Sequence, residues 1–219
     1  MTRHIAYQST VEPLNFSEYI KRIFIGLLAG VSISIVIGAV VWFLSVGLPY
    51  EFGESGNPIA LFCYWLYETQ ISIGIRESIW LFPIVEGIHL LGIAVSVGAL
   101  CWFDLRLLGL ALRDEPVSGV WKHVMPVAFV GFALVFITGI LLFWAESRTA
   151  YQSVHFWIKL ALILAAGLNA WLFESKLHKH MHEWDTDAIP PRAAQIAGAV
   201  SLVLWAVIII TGRTMAYTF

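Results

Sequence analysis

Glu86 and His89 lie near the middle of an apolar, membrane-length run from Glu77 to Gly109, ESIWLFPIVEGIHLLGIAVSVGALCWFDLRLLG. Ionisable groups at that depth cost about 2.5–3.5 kcal/mol or more, so they pair, line a cavity or carry a function. Three residues apart on a helix, the two share a face, and that face must look at the protein interior or a polar cavity rather than lipid. An imidazole there can ligate a haem iron or exchange protons near neutral pH. A carboxyl one turn away can pass protons to and from it. Both are therefore candidate catalytic groups.

Two redox cofactors suit these residues. In the first reading a b-type haem takes His89 as an axial ligand, while Lys159 and Arg213 pair with its propionates. In the second, Glu86 and His89 are proton-transfer groups beside a bound quinone, whose redox chemistry moves protons with electrons. A bis-histidine haem needs two imidazoles at one depth. Of seven histidines only His89 lies deep in an apolar run, whereas His123 and His155 begin runs at the two faces. A haem within one chain would then be five-coordinate, use Met or Tyr, or borrow a ligand from another subunit. In the non-functional alternative, Glu86 and His89 hydrogen-bond to neighbouring helices, for example through Lys159, and only hold a bundle together.

Other polar groups carry weaker signals. Glu-x-x-His is half of a di-iron pattern, but only one such motif falls in an apolar run. In KLHKHMHEWD, His178 and His182 would share a face if the preceding helix continued, a spacing suited to copper or zinc. Lys176 and Lys179 oppose a cation there, and a solvated helix end is the simpler explanation. Asp104 and Arg106 stand at a membrane boundary, where their two-residue spacing does not pair them, and they are expected to snorkel or to bond neighbouring helices.

The elements that must position these groups are spanning helices. The chain of 219 residues is 59% hydrophobic and only 13% charged, and its mean hydropathy of +0.78 belongs to a bilayer protein. Its formal charge of −2, with no Lys/Arg-rich run, excludes a nucleic-acid surface. Apolar runs at about 23–48, 78–103, 124–145, 154–173 and 193–212 are each long enough to cross ~30 Å of hydrocarbon. The first has a basic flank, Lys21 and Arg22, like that of a signal peptide. It is too long for one and lacks a cleavage site, so it reads as an uncleaved anchor. Gly26 and Gly30 in it form a GxxxG contact motif.

Between the first two runs, IALFCYWLY is too short to span and suits the membrane interface, where Tyr64, Trp65 and Tyr67 are at home. Many other tryptophans fall near run ends, as an aromatic belt requires. Nine basic residues sort to one side and four to the other, which sets the N-terminus in the cytoplasm and the C-terminus outside. Cys63 and Cys101 then lie at opposite faces and are not expected to pair.

The strings WLFPIVEGIHLLGIAVSVGALCWFDLRLLG, FWIKLALILAAGLNAWLF and ITGRTMAY, within about residues 76–219, resemble a family of uncharacterised bacterial inner-membrane proteins. That family is distantly similar to the CopD copper-resistance group and, through it, to a haem-binding membrane oxidase of protoporphyrinogen. The resemblance implies a small helical bundle with a haem or copper connection, carried here by Glu86, His89, Lys159 and Arg213. The expected protein is thus all-α, one domain of five transmembrane helices in the bacterial inner (plasma) membrane. Its function is expected to be electron or proton transfer through haem b or quinone in an outer-half pocket. A non-enzymatic proton or copper transport or assembly subunit is the rival, and a structural partner in a homo-oligomer or membrane complex is the third reading.

Overall fold

The computed structural model describes residues 58–215, and every regular element among them is a helix. Two short helices, α1 (Pro58–Tyr67) and α2 (Gln70–Arg76), precede the long α3 (Leu81–Leu107) and α4 (Val117–Ala145). A short α5 (Ser147–Gln152) leads into α6 (Val154–Leu172), and α7 (Arg192–Met215) is the last described helix. Among the described residues four helical stretches are long and apolar enough to cross a membrane, one of them the continuous stretch Val154–Glu183. The expected first span at 23–48, with Gly26 and Gly30, lies outside the described residues. Only 17–33% of each apolar window is buried within the protein, so lipid must cover most of the remaining side chains.

Short connections make successive long helices antiparallel. One end of the bundle, here the lid end, carries α1, α2 and α5. The other, the loop end, carries the segments 108–116 and 184–191. The lid is fastened by buried polar groups. Ser147 Oγ donates to the Cys63 carbonyl at 2.8 Å. Arg76 Nη1 donates to the carbonyl oxygens of Tyr67 (3.3 Å) and Ala145 (3.1 Å) and to Ser72 Oγ (3.0 Å). Its guanidinium also lies 3.7 Å from the centre of the Tyr67 ring. Trp144 Nε1 donates to Thr69 Oγ1 at 2.8 Å, tying the α1–α2 turn to the last turn of α4.

The helix boundaries differ from the hydropathy reading for identifiable reasons. The third span begins at Val117 rather than 124, because Asp185 caps it from a distant segment. Its carboxylate accepts from Ser118 N and Ser118 Oγ, both at 2.7 Å, and its carbonyl accepts from Val117 N at 2.9 Å. That satisfies amide donors a helix start leaves orphaned. The fourth span does not stop at 173. Its last turns change pitch, to a π-helix at Phe173–Leu177 and a 3₁₀-helix at His178–Glu183. The second span runs to Leu107, past the expected end at 103, because Arg106 is not a boundary residue. Arg106 is fully buried, with Nε donating to Glu115 O (2.9 Å) and Nη2 to Asp187 O (3.0 Å). It therefore bonds neighbouring segments and does not snorkel.

The helix seams are lined by small residues, which let backbones approach where no hydrophobic force draws helices together. A Cβ on Gly131 of α4 would stand 2.7 Å from Ser96 N and 2.8 Å from Ser96 Cβ of α3. On Gly198 of α7 it would stand 3.0 Å from the Asp104 carbonyl oxygen. Apolar packing is concentrated at the loop end, where Phe103 and Leu107 meet Val117, Val120, Phe173 and Trp184. Along the α6–α7 seam, Leu162 and Ala166 meet Leu204 and Ile208. Cys63 and Cys101 are both free thiols.

Candidate functional site

His89 sits about 12 Å into α3 from its lid end. Its ring is half-buried and lies against α4, where Gly139 makes the room: a Cβ there would be 3.2 Å from His89 Cε1. His89 Nδ1 lies 2.9 Å from Thr138 Oγ1. The Thr138 hydroxyl has one proton and donates it to the Leu134 carbonyl at 2.6 Å. With that proton on the Leu134 carbonyl, the His89–Thr138 contact suits the tautomer in which Nδ1–H donates. In the neutral ring this leaves the Nε2 lone pair as the group available to a ligand.

Lys159 occupies the second turn of α6, at the same end of the bundle. Its chain crosses Gly212 of α7, where a Cβ would be 3.5 Å from Nζ and 3.6 Å from Cε. The ammonium is near enough to act electrostatically on the His89 ring. Among the described residues Lys159 is half-buried, and no hydrogen bond or ion pair holds its Nζ. A cation and an imidazole lone pair thus stand together in the lid-end third of the span, on surfaces contributed by α3, α4, α6 and α7.

Of the other expected site residues, Glu86 is half-buried one turn from His89 and has no hydrogen bond or ion pair among the described residues. It does not pair with Lys159. Arg213 is exposed and follows Gly212 directly, so it stands at the rim, not in the interior. His178 and His182 do not form the expected i, i+4 pair, because the helix has tightened to 3₁₀ pitch, which turns such positions about 120° apart. His178 Nδ1 donates to the Glu174 carboxylate at 3.0 Å, and its ring packs 4.7 Å from that of Trp121. His182 is exposed. Among the described residues no three His, Cys, Asp or Glu side chains converge as a metal-ligand group.

Sequence reasoning missed the two pieces that hold this site. Thr138–Gly139 receives the imidazole and Thr211–Gly212 receives the lysine chain, each within an Ile-Thr-Gly tripeptide, Ile137–Gly139 and Ile210–Gly212. In both, the threonine hydroxyl donates back to the carbonyl four residues earlier, at 2.6 Å in α4 and 2.7 Å in α7. The repeated tripeptide in two apolar runs was the available signal. A small, back-bonded residue followed by glycine opens a notch in a helix face without exposing an unpaired hydroxyl.

No curated protein and no solved structure matches the chain. A family model described as a family of unknown function, DUF6644, matches residues 79–218. That interval contains α3, α4, α6 and α7 with Glu86, His89, Thr138, Lys159 and Arg213, and the chain belongs to this family.

Proposed function

We propose that the protein is a membrane-embedded redox-cofactor protein of the bacterial inner membrane, holding a b-type haem or a quinone at His89 and passing electrons with protons. The reading rests on one observation: Thr138 engages His89 Nδ1 at 2.9 Å while its own hydroxyl bonds Leu134, an arrangement that suits the tautomer presenting Nε2. Orientation of an imidazole through its other nitrogen is what an axial ligand or a directed proton acceptor requires. The distant kinship with the CopD and haem-binding groups, drawn from the sequence, belongs to this same proposal.

The donor set fits either cofactor in part. Were haem bound, His89 would hold its iron and Lys159 with the rim residue Arg213 would offset the charge of its propionates. Were a quinone bound, His89 and Lys159 would hold its oxygens by hydrogen bonds and Glu86 would exchange protons with the site. When bound, either group supplies the one-electron chemistry that no side chain here provides. The chain's own residues orient the ring, compensate its negative charge and move protons.

The test is to purify the whole chain from cells supplied with iron and making their own quinones. An optical spectrum and solvent extraction then read the two cofactors separately. One cofactor is expected near stoichiometric amount in the wild type and absent from His89→Ala. Neither cofactor in the folded wild type would end the proposal. The rival reading, a non-enzymatic proton or copper transport or assembly subunit, would use the same polar groups, and it draws support from the buried carboxyl at Asp104.

A further inference from the structure

We propose that Asp104 is an intramembrane proton-binding site, loaded from the loop end of the bundle and separate from the His89 site. The side chain is 4% exposed, and its Oδ2 has no hydrogen-bond partner among the described residues. An ionised carboxylate with a bare oxygen in such surroundings costs several kcal/mol, whereas the neutral acid needs no counter-ion. About 22 Å of helix separates it from His89.

The groups around the carboxyl leave that charge uncompensated. From α7 the Ser201 hydroxyl lies beside it, and no charged side chain of α4 or α7 acts on it. From α3 itself the neighbours are the Cys101 thiol and, two residues on, Arg106. Arg106 is the natural counter-ion, but its Nε and Nη2 are fixed on the Glu115 and Asp187 carbonyls, its charge is answered by Asp185 and Asp187, and its buried Nη1, which has no partner among the described residues, makes no hydrogen bond to Asp104. Positions two apart on a helix do not face each other, so Arg106 cannot swing to Asp104 without abandoning both carbonyls. A proton on Oδ2 is the remaining compensation.

The route follows from the packing. Gly198 of α7 closes against the Asp104 backbone, where a Cβ would stand 3.0 Å from its carbonyl oxygen and 3.5 Å from its Cα. That seals the helix seam, while α3 ends at Leu107, one turn beyond. The short path to water runs past Arg106 toward the loops. The exchange forms an O–H bond at Oδ2 with a proton from water at that face, and returns the same proton there.

Infrared spectroscopy of the intact protein in lipid, with and without heavy-carbon-labelled aspartate, tests this on the wild type. The chain has four aspartates, Asp104, Asp114, Asp185 and Asp187. Asp114 and Asp187 are exposed, and Asp185 accepts two hydrogen bonds as a helix cap. The expected result is a protonated-carboxyl C=O band that shifts with the label, exchanges in heavy water, fades reversibly as pH is raised and is missing from Asp104→Asn. Label-sensitive bands only in the carboxylate region would overturn the proposal and make Asp104 a counter-ion of Arg106 through water. A band that neither exchanges nor titrates while the protein stays folded would overturn it too, as a fixed structural proton. The label shift, the exchange and the titration are read on the wild type, so failure of the variant to fold leaves the test intact. None depends on a cofactor at His89.

Discussion

His89 Nδ1 and Thr138 Oγ1, on adjacent helices, are 2.9 Å apart, and the threonine's own proton is committed to Leu134. The contact suits an imidazole that donates from Nδ1, which ties the ring on α3 to a hydroxyl of α4. Thr138→Val keeps the shape but removes the acceptor. It should weaken cofactor retention about 10- to 100-fold, as loss of a histidine's supporting hydrogen bond does elsewhere. Thr138→Ser should restore most of it. Binding measured by titrating haem or quinone into stripped protein checks this, and unchanged affinity in Thr138→Val would show that Nδ1 does not position the ring.

The α3–α4 seam should be intolerant at Gly131. An added methyl meets Ser96 backbone at 2.7 Å, which neither helix can yield without separating. Gly131→Ala should destabilise the folded protein by about 1–3 kcal/mol or more. Gly98→Ala on α3 meets nothing within 4 Å and should be neutral or mildly stabilising. Thermal unfolding in one detergent compares the pair.

Arg106 is a staple between the loop-end segments. Arg106→Ala removes two charge-assisted bonds to the Glu115 and Asp187 carbonyls, each worth about 1.5–3 kcal/mol. The loss should appear as lower thermal stability and faster amide exchange in residues 108–116 and 184–191. Arg106→Lys should recover little, since an ammonium cannot reproduce the fork that reaches both carbonyls. Full rescue by lysine would mean that charge alone matters.

Cys63 reports the closure of the lid. Burial pushes its thiol up from the ordinary range, so less thiolate is present at neutral pH. Tyr151, packed against Cys63, is likewise pushed up, first by burial and then by the Cys63 charge. Alkylation of Cys63 should be slow in the folded protein and quicken as pH rises. Arg76→Ala, which frees the lid from Ala145, should speed it at fixed pH. Mass spectrometry of the labelled peptide measures both, and fast labelling of the wild type at neutral pH would contradict a closed lid.

Apolar run length and the placement of Glu86 and His89 were legible as sequence, because a helix in hydrocarbon must satisfy its own backbone and each polar exception stands out. What the residues did not disclose were the distant partners. Asp185 caps α4 across 67 residues, and Thr138 meets His89 across 49. Asp104 and Arg106 read as boundary residues that would snorkel or bond neighbouring helices, yet both are buried, each in a different environment.

The sequence alone determined a helical membrane protein with two ionisable groups on one face of its second apolar run, since composition and periodicity are local properties of the chain. Only the tertiary structure decided which nitrogen of His89 is left open, where Lys159 lies, and that Glu86 pairs with neither. Those depend on which helix faces meet. Among lipid-embedded helices that choice is made by the fit of small residues such as Gly131, Gly139 and Gly212 rather than by any pattern of hydrophobicity.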